Sequence, residues 1–148
     1  TKKQEIIKAC QDQSWMTSVP ILLVVCNDKE PVKKRFGSQG NLLSIQNCAI
    51  ITNNIMLKAH ELGLGTCWVG DFNKGSISKI LEIPEGIEPD AILTLGYPEN
   101  PKFGYRTPER EPINKFVFFD KYNKINLDTS LWPLIKYKDK IKKFFKTK

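Results

Sequence analysis

The stretch from Asn41 to Leu62 limits the fold more than any other part of the chain. Ile45, Cys48, Thr52, Ile55, Ala59 and Leu62 recur at helical spacing and make one stripe. Leu43, Ile50, Ile51 and Leu57 add apolar surface on other sides. Asn41 is placed as an N-cap and Gly63 as the C′ residue that ends the helix. A helix apolar nearly all round is buried, either within a domain or between subunits. It also carries Gln46, Asn47, Asn53 and Asn54. Buried amides need partners, so these four either face a second chain or a ligand, or cap internal backbone groups.

The elements around this helix are shorter. Residues 2–13 read as a polar helix, and Pro20 opens "PILLVVC", a β-branched run expected to be a strand buried on both faces. "NDKEPVKKRFGSQGN" reads as a charged loop. After the glycines come a short strand "TCWVG", a small helix "SISKILEI", a turn "PEGIEP" and a second buried strand "DAILTLGYP". A proline-rich charged loop leads to "NKFVFF", expected to be a further strand. Helices and strands interleaved this irregularly predict an α+β fold with a mixed sheet flanked by helices.

Charge and cysteine usage narrow the function classes. Of the net +7, residues 131–148 hold seven lysines and one acid, so the body is nearly neutral and the tail basic. A body-wide nucleic-acid surface is not indicated. The expected division is a domain over 1–130 and a basic amphipathic extension over 131–148, with Leu134, Tyr137, Ile141, Phe144 and Phe145 on one face. No apolar run reaches the roughly 18 residues of a membrane span, and no secretory signal opens the chain. Cys10, Cys26, Cys48 and Cys67 are too far apart in sequence for a zinc motif, and His60 is the only histidine. Four reduced, mostly buried thiols in a cytoplasmic protein and no metal are expected. Because the chain begins at Thr1, its natural start is expected upstream.

"HELGLGTCWVGDF", residues 60–72, tests two phosphate motifs and fails both. In G-x-G-x-x-G register Gly63 and Gly65 fit, but Trp68 stands at the third glycine, and the glycines follow a helix rather than a strand. In P-loop register Gly65 and Gly70 fit, but Asp71 and Phe72 replace the phosphate-binding lysine and the magnesium-binding hydroxyl.

The order of motifs resembles the nitroreductase family of FMN-dependent oxidoreductases. "SVPILLVV" resembles that family's opening strand, and "SIQNCAIITNNIMLKAHELGLGTCWVGDF" its central helix and the segment after it. "ISKILEIPEGIEPDAILTLGYPENP" and "REPINKFVFFDKYN" resemble its next helix and strand and its closing segment. The resemblance covers roughly residues 3–123. The family's N-terminal arginine motif is not found, and "KKRF" at 33–36 is in the wrong place for it.

The resemblance implies an oxidoreductase, a homodimer with FMN at the subunit interface, that passes two electrons from NADH or NADPH to a nitroaromatic, a quinone or a similar small acceptor by a ping-pong mechanism. The backbone of Trp68, Val69 and Gly70 would lie along the flavin ring, where an N–H stabilises the reduced ring and a glycine allows close approach. Arg110 would reach the FMN phosphate through its planar fork, with Lys102 and Arg106 as weaker candidates. No side chain is assigned as an acid or base. The alternative is a flavin-free, non-catalytic relative that binds a small molecule or a protein.

Overall fold

The computed structural model describes residues 1–99, Glu109, Glu111, 115–118 and 121–123. The chain divides into two units, Thr1–Phe103 and Gly104–Lys148. In the first unit the elements are α1 (Lys2–Ala9), β1 (Ile21–Asp28), α2 (Glu30–Phe36), α3 (Gly40–Glu61), β2 (Gly65–Val69), α4 (Lys74–Leu81) and β3 (Ile87–Gly96). Short 3-10 turns lie at Ser14–Thr17 and Gly37–Gln39. The tail at 131–148 lies outside the described residues.

The sheet order is β1-β3-β2. The class is α+β, as the sequence predicts. A mixed sheet was the expectation, and both pairings among the described strands are antiparallel. β3 is the central strand, and Ala91, Ile92, Leu93 and Thr94 are all buried. The expectation for β1 is corrected: it is not buried on both faces. Among the described residues it is a sheet edge, with Ile21 through Val25 exposed or half-covered and only Asn27 buried.

Side chains alternate across the sheet and so serve two layers. On one face Val69 and Ile92 pack with Ile6, Ile7, Cys10, Met16 and Ile77, so α1 and α4 cover that side. α3 lies against all three strands. Its buried stripe is Gly40, Ser44, Cys48, Thr52 and Ala59, so Cys48, Thr52 and Ala59 of the stripe read from sequence are buried, while Gly40 and Ser44 take the places expected of bulkier residues. Ile45 and Leu62 are exposed. Small residues at four-residue steps let the helix axis sit close to the sheet, and that close approach decides which face turns inward. The opposite face remains apolar and uncovered, with Leu42, Ile50 and Leu57 each about 60% exposed. Gln46, Asn47, Asn53 and Asn54 are exposed as well.

Two local readings change. α3 begins at Gly40 after Gln39, with no side-chain cap, so Asn41 is inside the helix rather than its N-cap. The "charged loop" contains α2. Asp28 Oδ1 accepts the Glu30 N–H at 3.2 Å, Pro31 stands in the first turn, and Gly37 at φ +59° ends the helix. Acid at its start and Lys33, Lys34 and Arg35 at its end also suit the helix dipole.

All four cysteines are unpaired. Cys10 and Cys48 are buried, whereas Cys26 and Cys67 are exposed, on the two strands that are the sheet edges among the described residues. In the second unit, residues 115–118 do not form the strand expected at "NKFVFF". Instead Lys115 pairs with Glu111 at 2.5 Å, and the Phe118 ring packs on Tyr122 with centroids 4.8 Å apart.

Candidate functional site

The end of α3 launches the candidate segment. Gly63 takes φ +75°, its N–H donates to the His60 carbonyl at 3.0 Å, and the Leu64 N–H donates to the Ala59 carbonyl at 2.9 Å. These are the paired bonds of a Schellman close, so Gly63 has its predicted C′ role. One residue later the chain is in β2.

Along β2, Val69 sits opposite Ile92 and points into the core. Trp68 sits opposite Leu93 and keeps 39% of its surface exposed. Gly70 follows the strand and is exposed. The fold itself does not demand a glycine at this position. Its φ is not left-handed, and an added Cβ would meet only the Trp68 indole, at an ordinary 3.7 Å. The three residues therefore stand together at the end of an edge strand, with one side chain inward, one partly outward and one absent.

The surrounding structure holds this strand end firmly. Cys67 N–H donates to the buried Thr94 hydroxyl at 3.2 Å. Phe72 packs against the core, and Asn73 N–H donates to the Ala9 carbonyl at 2.8 Å. Asn73 is the N-cap of α4, its Oδ1 accepting the Ser76 N–H at 2.8 Å. An open cleft of about 480 Å³ adjoins the other end of β2, lined by Val19, Pro20, Thr66, Cys67 and Tyr97 among others. Trp68, Val69 and Gly70 lie outside its lining. Arg110, Lys102 and Arg106 lie outside the described residues.

One polar cluster escapes a reading by local pattern. Asp90 accepts from Asn27 Nδ2 at 2.7 Å and from Lys74 Nζ at 2.5 Å, while Lys29 pairs with Glu88 at 2.6 Å. Burial pushes the Asp90 carboxyl up, but hydrogen bonds from Lys74 and Asn27, with the charges of Lys74 and Lys29, bring it below the usual range. The Lys29 hydrogen bond likewise lowers Glu88. Burial raises the thiols of Cys10, Cys26 and Cys48, with a smaller push from Asp71 at Cys10 and Asp90 at the other two. Among the described residues no group of three or more histidines, cysteines or acids is placed to hold a metal ion. No helix there is long and apolar enough to cross a membrane.

A long two-faced helix, a small sheet and a glycine-ended edge strand define a nitroreductase-like α+β fold. The family model "Nitroreductase family" matches residues 2–97, and the chain belongs to that family. A curated relative from Methanothermobacter thermautotrophicus, provisionally named NADH dehydrogenase/NAD(P)H nitroreductase, is 37% identical over 60% of this chain and 46% of its own length. A nitroreductase family protein from Clostridium difficile 630 has a similar structure, with TM-score 0.61, 31% identity, and 82% of this chain and 71% of that one covered. The NADPH:FMN oxidoreductase of Vibrio harveyi, solved with NAD+, shares the fold at TM-score 0.68 and 20% identity, covering 98% of this chain and 64% of that one. The chain spans about half the length of the curated relatives it matches.

Proposed function

We propose that this chain belongs to an FMN-dependent oxidoreductase that takes electrons from NADH or NADPH. The observation that carries the reading is Gly70, an exposed glycine that the fold does not require, beside a half-exposed tryptophan on an edge strand. An exposed backbone without a side chain is what a flat heterocycle needs for close approach. The residues present fit FMN in this respect: Val69 turns inward and fixes the strand, Gly70 is exposed with no side chain in the way, and Trp68 offers an aromatic wall. Bound there, FMN would supply two-electron chemistry, alternately reduced by the nicotinamide and oxidised by a nitroaromatic, a quinone or a similar acceptor. The chain's own share is to bind, to orient and to exclude water. Arg110 holds the phosphate on this reading, as the family resemblance implies.

The partner is a second copy of the chain. α3 presents Leu42, Ile50 and Leu57 each about 60% exposed, and an uncovered apolar face of this kind marks an interface. The exposed amides of Gln46, Asn47, Asn53 and Asn54 would find their partners across it. Four unpaired thiols suit the reducing cytoplasm.

The test is an absorption spectrum through the near-ultraviolet and blue, taken on protein from the full gene after FMN is added and the excess filtered away. A retained flavin band that bleaches with NADH or NADPH is expected. A folded dimer that retains no flavin would overturn the reading and leave a non-catalytic binding protein.

A further inference from the structure

Asp90 is the extra residue of a β-bulge. Val25 pairs with Ala91 and Cys26 with Pro89, so Asp90 has no partner on β1. A bulge re-aims the side chain on which it falls. Here the carboxylate, only 7% exposed, takes Asn27 on one oxygen and Lys74 on the other. Asn27 also donates to Ser44 Oγ at 3.2 Å, and Ser44 donates to the Asn41 carbonyl at 2.8 Å. The polar chain thus runs from the first residue of α4, through β3 and β1, to the first turns of α3.

Lys74 stands four positions after Gly70. The intervening backbone has three anchors: Phe72 in the core, Asn73 on the Ala9 carbonyl, and Lys74 on Asp90. The first two tie it to the α1 layer, and only the third ties it to the bulge and so to α3. Stability alone gives little reason to keep such a pair, because the Lys74 side chain is 49% exposed and an ion pair open to solvent contributes little. A gain in geometric definition does give one.

We infer that Lys74 and Asp90 are positioning residues that clamp the Trp68–Gly70 backbone in register for FMN and couple it to α3. The inference rests on the flavin reading above, so its test has one arm that needs no flavin. Hydrogen exchange would be followed at the Asn73 and Ser76 amides in the flavin-free full chain. Lys74→Met should speed both about tenfold and leave Ile92 and Leu93 unchanged, since a local opening moves only the amides it contains. FMN titration of the same proteins should show binding about tenfold weaker in Lys74→Met, with most of it restored in Lys74→Arg.

Unchanged exchange at Asn73, or unchanged FMN affinity in Lys74→Met, would overturn the inference. If Lys74→Met loses protection everywhere, Asp90→Asn is measured in its place, and a general loss there too assigns the pair to stability and overturns the clamp. A wild-type chain that takes up no FMN sinks the functional reading and the flavin half of this one, while the exchange arm still decides whether the clamp exists.

Discussion

Gly40 leaves no room for a side chain: a Cβ there would stand 2.5 Å from the Lys33 Cα. α2 crosses the first turn of α3 at this point, and Ser44, Cys48 and Thr52 continue the same small-residue line. Gly40→Ala sets two effects against each other. Alanine gains about 1 kcal/mol of helix propensity. A clash against backbone costs about 3 kcal/mol, because backbone does not swing aside as a side chain would. Net destabilisation of about 2 kcal/mol is expected, read as a lower urea midpoint with unchanged slope.

Gly70 gives the opposite expectation. Gly70→Ala adds a methyl at ordinary contact distance from Trp68, with no forbidden φ. Stability should stay within about 0.5 kcal/mol of the parent. FMN affinity should fall about tenfold or more if a ring approaches that backbone closely. Thermal melts and a flavin titration on the same sample separate the two, and equal flavin binding in both proteins would remove Gly70 from the site.

Ile50, 60% exposed at the middle of the outward face of α3, is the probe for the subunit contact. Ile50→Arg should weaken self-association by about 2 kcal/mol or more, as loss of a central apolar anchor does. Sedimentation across a concentration series measures it, with circular dichroism to show that the helix survives. A parent chain that sediments as a monomer at every concentration would count against the interface.

Asp90 supplies a pH test. Its folded carboxyl lies below the ordinary value of about 3.9, so its contribution is complete above that pH and is lost as pH falls through the lower folded value. In Lys74→Met the largest of the lowering influences is gone, so the carboxyl rises from its place in the parent, with Asn27 and Lys29 left to oppose burial. The variant is then most penalised at neutral pH and recovers relative to the parent as pH falls toward about 4. Urea midpoints at several pH values should show the gap narrowing with acid, and adding Asp90→Asn should abolish the narrowing.

Features set by near neighbours in sequence were legible from it. "DAILTLG" announces a central strand because every residue near its middle is buried, and Gly63 announces a helix end because that position needs a left-handed φ. The phase of α3 was legible only in part: Cys48, Thr52 and Ala59 are buried as read, but the ends of the stripe are not. Ile45 and Leu62 have the hydrophobicity of core residues but lie off the inner face, which Gly40 and Ser44 occupy at its start, because close packing against a sheet rewards small volume. α2 was hidden by its charge, since periodicity reads only apolar residues. The Trp68–Gly70 segment was found through family resemblance; which of its side chains turns inward follows from pairing with β3, many residues away. The Lys74–Asp90 pair needs a bulge, and nothing local signals one.

The order β1-β3-β2 has a further consequence. Among the described residues β2 has a strand on one side only, and the free side of any strand is a row of backbone donors and acceptors that recruits other chains. On the flavin reading, the same row is what a heterocycle with carbonyl and ring-nitrogen edges would engage. The cofactor would then be a plug as well as a reagent, sealing an adhesive border that otherwise invites stacking into larger assemblies. Colloidal behaviour would follow flavin loading, with the empty protein clouding first on warming.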